Sequence, residues 1–178
     1  DVTGNVVAIT GGAGVLGREI ACGLAEAGAQ VAILDMNTTL HDSARKRLDE
    51  AGSNYAVYKC DVLNAASITT VHRSIINTFG QVDILINGAG GNHPKATTSA
   101  DMPFFDIPAE AFNRVMQLNL SGTVLPSQVF GKYFAKRDAG NILNISSMNA
   151  FRPLTRIPAY SSAKAAVSNF TQWLAVHM

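Results

Sequence analysis

The chain has 178 residues, enough to bury a real core, with 47% hydrophobic residues, 15% charged residues and a formal net charge of +1. That balance excludes a nucleic-acid or acidic-membrane surface as its business, and the absence of an 18-residue apolar run, signal peptide or low-complexity tract argues for one soluble, cytoplasmic domain. Cys22 and Cys60 read as free buried thiols of a reducing compartment, and no Cys/His spacing matches a metal site.

In chain order, an apolar run over 5–10 feeds the turn Gly11-Gly12-Ala13-Gly14-Val15-Leu16-Gly17 and then an apolar-periodic stretch over 15–27. This predicts strand, tight turn, helix. Gly11, Gly14, Val15, Leu16 and Gly17 form a loop whose backbone can approach a pyrophosphate at a helix N-terminus. A second apolar strand, 30–35, ends in Asp35. A carboxylate about 20 residues after the glycines accepts from a ribose 2′-hydroxyl and repels a 2′-phosphate, which favours NAD over NADP. The alternative is an ordinary βα turn with a surface aspartate.

Further strands are predicted near 54–58, 82–86 and 140–145, and helices near 39–51, 65–79, 108–136 and 159–177. Strict alternation implies a doubly wound parallel sheet in a three-layer α/β Rossmann-type fold, with ligands beyond the carboxyl ends of the strands. Pro126 should kink or break the long helix 108–136. Three of the four histidines, His41, His72, His93 and His177, read as helix-surface residues.

Near the end stands Tyr160-Ser161-Ser162-Ala163-Lys164, with Ser147 thirteen residues upstream. Helical spacing puts Tyr160 and Lys164 on one face. A neighbouring ammonium favours phenolate and brings the phenol toward the working range for proton transfer, and a serine hydroxyl could hold the oxygen of a carbonyl or alcohol. Alternatively, Ser147 is a loop serine capping the next segment, and Asp61 an N-cap or turn aspartate before the helix at 65.

Taken together, these features resemble the short-chain dehydrogenase/reductase family over the whole chain. The resemblance implies that Thr10-Gly11 to Gly17 is the cofactor turn, that Asp61 and Val62 contact the adenine, and that Asn87 and Ala89 belong to the cofactor segment Asn87-Gly88-Ala89-Gly90. It implies a catalytic set of Asn119, Ser147, Tyr160 and Lys164, with Lys164 also on the nicotinamide ribose and Asn119 holding a water. Val15 departs from the small residue usual at its position. The segments 91–98 and 146–155 are similar to the branch of D-mannonate oxidoreductases, also called fructuronate reductases, which interconvert a 2-keto and a 2-hydroxy group on a six-carbon sugar acid.

In that branch a carboxylate needs a cation, and Arg offers a bidentate fork. His93, Lys95, Asn149 and Arg152 are the candidate substrate residues; the alternative is that Lys95, Arg152 and Arg156 are solvated loop charges. The resemblance also implies a homotetramer or homodimer through the helices 108–136 and 159–177. It implies further strands and a substrate lid, so that residues 1–178 would form a single Rossmann domain incomplete at its C-terminus, with residues absent near Ser99-Ala100 as well. Two other readings stand beside a sugar-acid oxidoreductase: a reductase of another polyol, ketone or steroid, and a dinucleotide-binding sensor without turnover.

Overall fold

Period-two alternation in the first strand sorts the core. In β1 (Val6–Thr10), Val6 and Ala8 face one side of the sheet, and Val7 and Ile9 face the other. The computed structural model describes residues 1–178. Its elements continue as α1 (Val15–Glu26), β2 (Gln30–Asp35), α2 (Asp42–Glu50), β3 (Tyr55–Lys59), α3 (Ala65–Phe79) and β4 (Ile84–Asn87). After these come α4 (Ala109–Met116), α5 (Gly122–Arg137), β5 (Asn141–Asn144) and α6 (Pro158–His177). All strand pairs are parallel, in the order β3-β2-β1-β4-β5.

Residues of α1 and α2, among them Ala21, Ala25, Ala44 and Leu48, pack with Val7, Ile9, Val31 and Ile33 on one face. Ile68, Val71 and Ile75 of α3 and Phe130 and Phe134 of α5 pack with Val6, Ala8, Ala32 and Leu34 on the other. Two covered faces explain why the central strands are apolar throughout rather than alternating with polar residues. The strand order reverses between β1 and β4, and the crevice of such a sheet opens there. Thr10 spans it: its Oγ1 accepts the N–H of Gly88 at 3.1 Å and of Ala89 at 3.2 Å.

Two expectations need correction, and the choice left open for Asp61 is decided. The long helix is broken, but not by Pro126: a π-helical turn over Gln117–Ser121 separates α4 from α5, and Pro126 sits within α5. His72 is not a surface residue. It is half-buried, edge-on to Phe130 and Tyr133 with ring centroids 5.0 and 4.9 Å away. The N-cap of α3 is Asn64, whose side chain accepts from Ala66 and Ser67, while Asp61 closes a turn by accepting from the N–H of Leu63 at 2.9 Å.

Candidate active site

The carboxyl ends of β1, β2 and β4 enclose a cleft of about 390 Å³. Of the residues singled out for the cofactor, Gly11, Gly14, Val15, Leu16, Gly17, Asp35, Val62 and Ala89 line it. Gly11 is required twice over: its φ is +66°, and a Cβ there would lie 2.8 Å from the Cα of Ala89. Gly14 caps α1 without a side-chain bond, and the N–H groups of Val15, Leu16 and Gly17 take no acceptor within the chain. Three open donors at a helix N-terminus are suited to an anion. Asp35 lies half-buried across from them, so the donor set and the acid together fit a dinucleotide with a free ribose diol.

Gly88 and Gly90 of the Asn87-Gly88-Ala89-Gly90 segment line it too, as do Leu34, Met36, Cys60 and Leu118, which were not singled out from sequence. Adjacency was the available signal, since each stands beside a residue that was. Burial pushes the Cys60 thiol up to about 11, so it remains protonated and serves as wall. Asn87 does not line the cleft. Only 2% exposed, it turns its amide into the fold, where Nδ2 donates to Ser127 Oγ at 2.9 Å and to Asn144 Oδ1 at 2.8 Å.

On the other side of Gly90 stand the candidate catalytic groups. Lys164 is buried, which lowers its pKa from the ordinary lysine value, and its Nζ donates to the carbonyl of Ile145 at 2.7 Å. That Nζ lies 5.7 Å from the centroid of the Tyr160 ring, one helical turn away on α6. An ammonium has three donors, so two remain. Asn119, fully buried in the π turn, uses its amide on backbone: Oδ1 accepts from the N–H of Gly91, and Nδ2 donates to the carbonyls of Gly91 and Val115. A Cβ on Gly90 would come within 2.6 Å of Asn119 Oδ1 and 3.4 Å of Lys164 Nζ, so this glycine lets the loop pass between the two.

Ser147 follows β5 and caps the 3₁₀ turn Met148–Ala150, its Oγ accepting from the N–H of Asn149 at 3.2 Å. The hydroxyl hydrogen stays available, so the capping role and a substrate role are compatible. Its neighbour Ser146 is tied to α6 through Ser168 Oγ at 2.6 Å and the Lys164 carbonyl at 3.3 Å. That link anchors the serine segment to the helix that carries Tyr160 and Lys164.

None of His93, Lys95, Asn149 and Arg152 lines the dinucleotide cleft. They lie on two loops that touch each other, the Thr98 N–H donating to the Arg156 carbonyl at 2.8 Å. His93 Nδ1 caps the 3₁₀ turn Pro94–Ala96 through the N–H of Lys95, whereas Lys95 and Arg152 are exposed and lack carboxylate partners. Met148, Phe151 and Leu154 are 82%, 79% and 62% exposed on the second of these loops.

The family model described as short chain dehydrogenase matches residues 5–178. An oxidoreductase of Haemophilus influenzae is 47% identical over 182 residues, covering 97% of this chain and 64% of its own length. A crystal structure described as a candidate D-mannonate oxidoreductase from Haemophilus influenza with bound NAD superposes with a TM-score of 0.91 at 46% identity, covering 99% of this chain and 67% of that one. The 7alpha-hydroxysteroid dehydrogenase of Escherichia coli K12 is 31% identical over 172 residues, covering 97% of this chain and 64% of its own length. The chain thus spans somewhat less than two thirds of the curated relatives.

Proposed function

Because the chain belongs to the short chain dehydrogenase family, we propose that it serves an NAD-linked oxidoreductase of sugar acids, interconverting D-fructuronate and D-mannonate. The observation that carries the oxidoreductase reading is the buried Lys164 ammonium beside the Tyr160 ring, next to a cleft whose donors and acid suit a dinucleotide. The sugar-acid reading is supported by the likeness to the Haemophilus structure and by Lys95, Arg152 and Arg156, three cations without carboxylate partners on adjoining loops.

When bound, NADH supplies the hydride to a carbonyl carbon, and the protein supplies geometry and protons. Val15, Leu16 and Gly17 hold the pyrophosphate through their N–H groups, and Asp35 accepts from the adenosine ribose. Asp61 and Val62 border the adenine. Lys164 holds the nicotinamide ribose with one of its two remaining donors and keeps Tyr160 oriented. Ser147 donates its hydroxyl to the substrate oxygen, and Tyr160 passes its phenolic proton to the alkoxide that develops there. Arg152 or Lys95 meets the substrate carboxylate, with His93 and Asn149 bordering it.

Rates of NADH oxidation with fructuronate, tagaturonate, 5-ketogluconate and simple ketones test this reading. The keto acids should react fastest, and a preference for neutral ketones would overturn it. The exposed Met148, Phe151 and Leu154 favour a second reading, an apolar ketone, for which the steroid dehydrogenase likeness gives a precedent. The same screen separates the two.

The working form is a cytoplasmic homo-oligomer built through α5 and α6. Trp173 is 56% exposed and stacks with Phe170 and His177, forming an apolar face beyond what the sheet can cover. A monomeric mass by light scattering at micromolar concentration would refute the assembly. No helix is long and apolar enough to cross a membrane.

A further inference from the structure

The glycine-rich turn divides its backbone donors into two sets. Gly12 donates to the Leu34 carbonyl at 3.2 Å, and Gly14 to the Gly11 carbonyl at 3.1 Å. Between them, Ala13 donates to Asp35 Oδ2 at 3.1 Å, and it alone of the three uses a side chain as acceptor. Val15, Leu16 and Gly17 follow with open N–H groups, and Arg18 starts the helical ladder by donating to the Gly14 carbonyl at 3.0 Å. On its other oxygen, Asp35 Oδ1 accepts from the N–H of Asn37 at 3.0 Å. The carboxylate is therefore gripped from both sides while it lines the cleft.

We propose that Asp35 is a positioning residue for the cofactor turn as well as the partner of the adenosine ribose: by holding the Ala13 N–H it sets which three donors remain for the pyrophosphate. The inference rests on the dinucleotide reading of this cleft. Each carboxylate oxygen has two lone pairs, so accepting one backbone bond leaves room for one ribose hydroxyl. A bond from N–H to a charged oxygen is roughly twice as strong as a neutral one. Beyond the backbone bonds of Gly12 and Gly14, Asp35 is the only side chain that hydrogen-bonds to the turn. Without the carboxylate, the part-buried Ala13 N–H has to find another acceptor, and the turn reshapes to provide one. Cofactor choice and cofactor affinity are thereby coupled through a single side chain.

The test uses the wild type, Asp35→Ala and Asp35→Asn with two ligands, NADH and its 2′,3′-dideoxyadenosine analogue, which has no diol for Asp35 to bind. Dissociation constants come from nicotinamide fluorescence, and amide exchange is followed by NMR on the cofactor-free protein. Asp35→Ala should bind the dideoxy analogue about tenfold more weakly than the wild type binds it. The Ala13 amide should exchange at least tenfold faster while the β1 amides keep their protection, which separates a loosened turn from a failed fold. Asp35→Asn keeps one acceptor oxygen and should fall between. Equal affinities of wild type and Asp35→Ala for the analogue would overturn the proposal, even if the Ala13 amide exchanged faster. A wild type that bound no NADH would instead remove the dinucleotide reading, and the exchange measurement would still judge the role of Asp35 in the turn.

Discussion

Asn119 grips Gly91 at both of its backbone polar groups, accepting the N–H at 3.1 Å and donating to the carbonyl at 2.7 Å. The loop that separates the cofactor cleft from the substrate side is thus clamped to the π turn by one buried amide. Replacing Asn119 by Ala leaves the Gly91 groups and the Val115 carbonyl to find other partners. An unsatisfied buried group costs about 1–3 kcal/mol. We expect Asn119→Ala to lower unfolding free energy by about 2–4 kcal/mol in urea titrations. A loss under 0.5 kcal/mol would show that water replaces the clamp at no cost.

Tyr160→Phe retains the ring that packs against the small cluster of Ala96, Ala111, Val115 and Ala159 and removes only the hydroxyl. Turnover should fall about 10²-fold or more, the usual scale of acid–base catalysis, while NADH binding stays within a factor of two. Turnover within twofold of wild type would remove Tyr160 as proton donor.

Arg152→Ala discriminates between substrate classes. Arg152 is exposed, and solvent weakens exposed charge pairs, so the expected loss in kcat/KM for a keto acid is about tenfold, or ~1.4 kcal/mol. Neutral ketones and NADH binding should be unaffected. Equal losses on charged and neutral substrates would make Arg152 a structural residue and move the carboxylate partner to Lys95 or His93.

His72 makes the α3–α5 contact sensitive to acid. Burial lowers its pKa below the ordinary histidine value of about 6.5, and its Nε2 has no hydrogen-bond partner. The charged groups on the adjoining groove, Lys132 and Lys136, are cationic and offer it no counter-ion. The folded chain therefore binds fewer protons than the unfolded chain just below pH 6.5, and stability falls as pH drops through that window. His72→Phe should flatten the difference in Tm between pH 7.5 and 5.5. An unchanged difference would assign the acid sensitivity elsewhere.

The alternation of strands and helices and most of the cofactor residues along the cleft follow from patterns a few residues long, and those patterns were legible in the sequence. His72 was misread although it shares a helical stripe with Ile68, Val71 and Ile75, because the polarity of its ring masked the spacing. The π turn was not legible. Its register serves an amide that bonds to Gly91, 28 residues earlier, and no local propensity encodes a partner that distant. Pro126 drew the prediction to the wrong place because a proline is a local signal and Asn119 is not. The inward turn of Asn87 has the same origin, since Ser127 and Asn144 meet it only after the sheet has formed.

The middle position of β1 has a consequence for synthesis. It is synthesised before both of its neighbours, its five residues are all buried in the finished fold, and Val7 pairs with Val31 on one side and Ile84 on the other. β2 arrives soon after, but at about 5–20 residues per second the second neighbour follows only after roughly 4–15 s. Through that interval one edge of an apolar strand stands open on the nascent chain, where chaperone capture or aggregation competes with completion of the sheet.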